Sequence, residues 1–129
     1  MKNLDKESVI GTAALLVHAA KIDEIYSEHE KNLIKNFIKS YLDHENVNEI
    51  LQKAEEMESN SNQLLNFTNI IKQNSTDVKK DVIEHLWKVI ISDKTVDQYE
   101  SNLMRRICGL IYFSDKECAE VKLKLINSI

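Results

Sequence analysis

Two stretches of the sequence carry side chains suited to holding a hard cation. Asp23 and Glu30 bracket the run Asp-Glu-Ile-Tyr-Ser-Glu-His-Glu, and Asp93 and Glu100 bracket Asp-Lys-Thr-Val-Asp-Gln-Tyr-Glu, so each run sets an aspartate seven residues ahead of a glutamate. Carboxylate oxygens are the ligands calcium and magnesium prefer, and Glu24, Glu28 and Asp97 add more of them in the same runs. Neither run is an EF-hand, which needs about twelve residues and a central glycine. The same residues have a second use, because Ser27-Glu28-His29-Glu30 has the form of a capping box and Asp97-Gln98-Tyr99-Glu100 repeats it. Capping accounts for Glu30 and Glu100. Asp23 and Asp93 instead fall near expected helix carboxyl ends, where negative charge opposes the helix dipole, so they either bond turn amides or act as ligands. Direct contact with a partner protein is a third use for these turns.

No other set of residues has the spacing of a reactive centre. His18, His29, His44 and His85 are scattered, without the His-Glu-x-x-His arrangement that puts two imidazoles on one helix face; His29 lies nearest an acidic turn. Cys108 and Cys118 form no metal motif and are read as buried, reduced thiols, with neither a disulfide nor a nucleophile between them. Trp87 sits on an apolar stripe and is read as core. There is no glycine-rich phosphate loop, nucleophile elbow or dinucleotide fingerprint, so a non-enzymatic protein is expected.

The elements that must position the two acidic runs are helices. The chain of 129 residues has no proline and only two glycines, Gly11 and Gly109, which removes the usual punctuation of strands and hairpins. Its length suits one domain over residues 1–129, and 43% hydrophobic with 29% charged residues is ordinary for a globular core. A net charge of −4 opposes phosphate attraction, so nucleic acid is not an expected partner, and Lys79-Lys80 and Arg105-Arg106 are read as solvated faces. No apolar run approaches the roughly 20 residues of a membrane span, and acids near the amino terminus do not suit a signal peptide, which makes the cytoplasm the expected compartment.

Periodicity of three and four places the helices. The first is expected from about Lys6 to Lys21 with Val9, Ala13, Leu16, Val17 and Ala20 on one buried face, and the second from near Glu28 with Leu33, Ile34, Phe37, Ile38 and Tyr41. A polar middle still has helical groups at Val47, Ile50, Leu51 and Ala54 and at Leu64, Phe67, Ile70 and Ile71, with a break expected at residues 58–62. A long helix from about Thr76 carries Ile83, Leu86, Trp87 and Ile90, the next carries Leu103, Met104, Ile107 and Ile111, and the last starts at Ser114 with Val121 and Leu125 inward. The total is about seven.

A shift of seventy residues superposes Ala13 on Ile83, Leu16 on Leu86, Val17 on Trp87, Ala20 on Ile90, Asp23 on Asp93, Glu30 on Glu100, Leu33 on Leu103, Ile34 on Met104 and Phe37 on Ile107. Two helix-turn-helix units therefore share one design. A helix ending in Asp, an apolar residue three further on (Tyr26, Val96) and a Glu opening the next helix resembles the repeated turn of TerB-like tellurite-resistance proteins, although Glu24 and Lys94 stand where that family usually has glycine. The resemblance implies an all-α cytosolic bacterial fold linked to tellurite resistance and stress, with an acidic surface that binds metal ions, for which the carboxylates themselves suit calcium or magnesium. The alternative it leaves is a protein-binding adaptor, since such domains also occur in a membrane-anchored DnaJ-like co-chaperone. Membrane association would then come through a protein partner.

Overall fold

A computed structural model of the chain describes residues 4–22, 26–42, 46–61, 63–91 and 98–127, with the side chains of Gln98 and Tyr99 left aside. Among these residues there are seven helices and no strand: α1 (Lys6–Ala20), α2 (Glu28–Tyr41), α3 (Val47–Asn60), α4 (Leu65–Lys72), α5 (Thr76–Ile91), α6 (Gln98–Leu110) and α7 (Asp115–Asn127). The all-α expectation holds, and the helix starts fall close to where the periodicity puts them.

Local chemistry sets the ends. Asp5 caps α1, its carboxylate accepting from the Ser8 amide at 2.7 Å, and the Asn46 side chain caps α3 through the Glu49 amide at 3.2 Å. The carboxyl end of α6 closes in a Schellman motif: the Phe113 amide donates to the Cys108 carbonyl at 2.9 Å and the Tyr112 amide to Gly109 at 3.4 Å, with Tyr112 left-handed at φ 59°. Phe113, buried just past the turn, anchors it. Ser114 then caps α7, its hydroxyl accepting from the Glu117 amide at 3.3 Å.

The internal repeat extends to the boundaries of the elements. Adding seventy to 6 and 28, the starts of α1 and α2, gives 76 and 98, the starts of α5 and α6. The superposed apolar pairs are buried in both units, with Leu33 alone only partly so. The duplication also reaches further than two helices. Position 47, the start of α3, maps to 117 within α7, buried Leu51 maps onto buried Val121, and α3 packs on α1 as α7 packs on α5. Two three-helix units thus flank α4, which touches α1, α5 and α6.

Two expectations change. The first helix has no exposed face of consequence: Gly11, Thr12, Ala14, Leu15 and Ala19 are buried along with the predicted stripe, because α1 is covered by α2, α3, α4 and α5 together. An all-round apolar helix is the one that belongs in the centre. Its small residues let neighbours close in, and a Cβ at Gly11 would run into Cδ1 of Ile70 on α4. The break expected at residues 58–62 also moves, since α3 continues through Asn60 and ends at Ser61. Glu58 stays helical because it is bonded to α1, as described below.

Gly109 has no such packing role. A Cβ there meets nothing within 4 Å, and its φ is not positive. Replacing it with alanine removes the entropic cost of a helical glycine, so Gly109→Ala is expected to raise stability by about 0.5–1 kcal/mol in urea unfolding followed by circular dichroism. A loss of stability would mean that the Schellman turn needs glycine at this position.

Candidate functional site

The first acidic run joins α1 to α2, and its far end is built by capping. Ser27 has extended backbone (φ −81°, ψ 164°), and its hydroxyl accepts from the Glu30 amide at 3.1 Å. Oε1 of Glu30 returns to the Ser27 amide at 2.9 Å and to the Ser27 hydroxyl at 3.1 Å. The capping box read from the sequence is complete. Both return bonds fall on the same oxygen, Oε1. Glu30 is 7% exposed, and Glu100, at the same place in α6, is 4% exposed. Carboxylates are seldom so buried without compensation. Glu28 points into water, 3.7 Å from the Lys31 ammonium.

The remaining ligands proposed from sequence, Asp23, Asp93 and Asp97, lie outside the described residues, as do Glu24 and Val96. The described structure therefore supplies the glutamate of each Asp–Glu pair. Among the described residues, no group of three or more His, Cys, Asp or Glu side chains is arranged to hold a metal ion.

A contribution from α3 was not anticipated. Tyr26, three residues into the first run from Asp23, donates its phenol to Oε2 of Glu55 at 2.7 Å, and Lys21 at the end of α1 donates to Oε1 of Glu58 at 2.8 Å. His18 Nδ1 lies 3.3 Å from the other Glu58 oxygen. Lys31 and Lys21 sit over the Tyr26 ring at 5.0 and 5.9 Å. Burial, the bond to Glu55 and the negative charges of Glu55, Glu30 and Glu28 push the Tyr26 phenol well above its ordinary range. The first turn is thus pinned to α3 in a field set by three carboxylates and two lysines. Spacing of three between Glu55 and Glu58 puts both on one helix face, but only the packing of α3 on α1 brings that face to the turn.

Of the histidines, His29 is exposed, and His44 is outside the described residues. His85 is taken up between helices, with Nδ1 at 2.8 Å from the Asp81 carbonyl and the ring edge-on to Phe37 at 5.0 Å. Trp87 is buried as expected, its indole donating to the Cys118 carbonyl at 3.2 Å. Cys108 and Cys118 are both buried and unbridged. No helix among the described residues is long and apolar enough to cross a membrane.

The sequence model of the family described as tellurite resistance protein TerB matches residues 9–123 of this chain. No curated protein sequence and no solved structure matches it.

Proposed function

Since the chain belongs to the tellurite resistance protein TerB family, we propose that it is a non-enzymatic binding module whose two acidic turns hold a hard divalent cation, calcium or magnesium. Asp23 pairs with Glu30 and Asp93 with Glu100, and Glu28 and Asp97 lend further oxygens. The observation that carries this reading is the burial of Glu30 and Glu100 at equivalent places in the two repeats. Capping at Ser27 uses one glutamate oxygen, and a carboxylate held at the same buried place in both repeats is fixed where an oxygen ligand would serve a hard cation. In this role the module acts in the cytoplasm in a stress response of the tellurite-resistance type.

A second reading has its own support. The complete capping box at Ser27 gives Glu30 a structural task, and the Tyr26–Glu55 bond holds the turn without an ion. On that reading the turns are caps and the protein is an adaptor for another protein, as in co-chaperones that carry such domains.

Calorimetric titration separates the two. Calcium or magnesium should release or absorb heat on binding the wild-type chain, and the Asp23→Ala/Asp93→Ala double variant should keep its helical circular dichroism while binding about tenfold or more weakly. No heat up to millimolar metal would leave the adaptor reading standing alone.

A further inference from the structure

Of the two cysteines expected to be inert packing, Cys118 lines an open cleft and Cys108 lies buried behind it. Cys108 lies near the end of α6, fully buried, and Cys118 lies in the first turn of α7, with its amide donating to the Ser114 carbonyl at 3.0 Å. The Schellman turn through Tyr112 reverses the chain between them, and the Cys108 thiol donates a hydrogen bond to the Cys118 sulfur. Only Cys118 faces outward. It forms part of the lining of a cleft of about 410 Å³ whose wall includes Trp87, Met104, Arg105, Asp115 and Lys122.

That setting favours a thiolate at Cys118. The bond from Cys108, the nearby Trp87 indole and the charge of Lys122 draw its thiol below the ordinary range, against burial and Asp115, which push the other way. The first turn of α7 adds the positive end of a helix dipole. Cys108 is the opposite case: donating to Cys118 and burial both hold its proton on. A thiol in the lining of a cleft, backed by a second thiol hydrogen-bonded to it from the neighbouring helix, is the arrangement of an oxidisable cysteine and its resolving partner.

We propose that Cys118 is an oxidation site for hydrogen peroxide and small hydroperoxides, and that Cys108 resolves it into an intramolecular disulfide. Cys118 gives its proton to water and its sulfur attacks one peroxide oxygen. The O–O bond breaks, hydroxide leaves and takes up a proton as water, and Cys118 becomes a sulfenic acid. The Cys108 sulfur then attacks the Cys118 sulfur, the S–O bond breaks, and the hydroxyl leaves as a second water with the Cys108 proton. Two thiols and one peroxide give one disulfide and two waters, the peroxide accepting the two electrons. The product ties α6 to α7 across the turn and withdraws the thiol from the cleft. This site is separate from the acidic turns and stands whether or not they bind a cation.

The test treats the fully reduced chain with stoichiometric hydrogen peroxide and follows it by intact mass and by peptide mapping after blocking free thiols. The expected product has lost two hydrogen atoms within one chain, with Cys108 and Cys118 in one cross-linked peptide. Cys118→Ser should consume peroxide at least about tenfold more slowly and leave Cys108 reduced, whereas Cys108→Ser should accumulate a dimedone adduct at Cys118. Where a serine disturbs folding, as circular dichroism would report, early dimedone trapping in the wild-type chain decides by which cysteine is labelled first. Cys108 labelled first, disulfides only between chains, or thiols no more reactive than those of the urea-unfolded chain would each overturn the proposal.

Discussion

Replacing Phe37 with alanine is expected to lower the stability of the fold by about 3–5 kcal/mol, a large part of the 5–15 kcal/mol typical of a domain. Phe37 is fully buried on α2 where it meets α5, with its ring 5.0 Å from His85 and 5.2 Å from Tyr41. Alanine removes the apolar area, leaves a cavity between two helices that cannot simply collapse, and loses both ring contacts, each worth about 0.5–1.5 kcal/mol. The repeat supplies a comparison, because the equivalent position in the second unit is Ile107, also fully buried. Ile107→Ala should cost about 2–5 kcal/mol, without the aromatic part. Leu123, 57% exposed on α7, is the control, and its alanine variant should stay within about 0.5 kcal/mol of wild type. Urea unfolding followed by circular dichroism measures all three. A Phe37→Ala loss no larger than that of Leu123→Ala would mean that the α2–α5 seam is not packed as described.

What the sequence made legible follows from which features are local. Helix starts are local: Ser27, Asn46 and Ser114 cap where short polar side chains precede apolar periodicity. The repeat is legible because register survives the shift by seventy, and every superposed apolar pair lands in or against the core. Trp87 follows the same logic, since its partner Val17 is also fully buried. Periodicity cannot tell how many helices cover one helix. It found the best stripe of α1 and missed that Gly11, Ala14, Leu15 and Ala19 are equally enclosed, because their covers come from four other elements. Glu58 was read as part of a break on composition, yet a lysine and a histidine from α1 hold it in the helix.

The two candidate sites divide the same way. Glu30 could be read as a cap from four consecutive residues, and the structure contains that box. The convergence of Glu55 on Tyr26 joins residues 29 apart, and the meeting of Cys108 with Cys118 depends on a left-handed turn at Tyr112, an exposed residue whose backbone is held there by the Schellman hydrogen bonds. Side chains separated by ten residues share no helical face. Their proximity is a product of the α6–α7 turn, and the burial of Phe113 behind that turn is what holds it.

Raising the pH past about 10 should destabilise this protein through two tyrosines in particular. Tyr26 donates to Glu55 and Tyr41 donates to buried Asp81, each at 2.7 Å, and in both cases burial first and then the carboxylate push the phenol well above its ordinary value. The folded chain therefore keeps protons that the unfolded chain gives up. Above the unfolded value the native state binds more protons than the denatured one, so stability falls as pH rises, by at most about 1.4 kcal/mol per pH unit for each tyrosine. Solvent at the partly exposed rings reduces that slope. Below pH 9 the effect is absent, because both states are protonated. Phenylalanine isolates the contribution: Tyr26→Phe and Tyr41→Phe should each cost about 0.5–1.5 kcal/mol at neutral pH, the net worth of the lost hydrogen bond, and each should flatten the alkaline decline. Urea midpoints between pH 8 and pH 11 provide the measurement, with the lysines common to all three proteins cancelling in the difference. Parallel curves for wild type and both variants would show that neither phenol depends on its carboxylate, and for Tyr26 that would also remove the bond that pins the first acidic turn to α3.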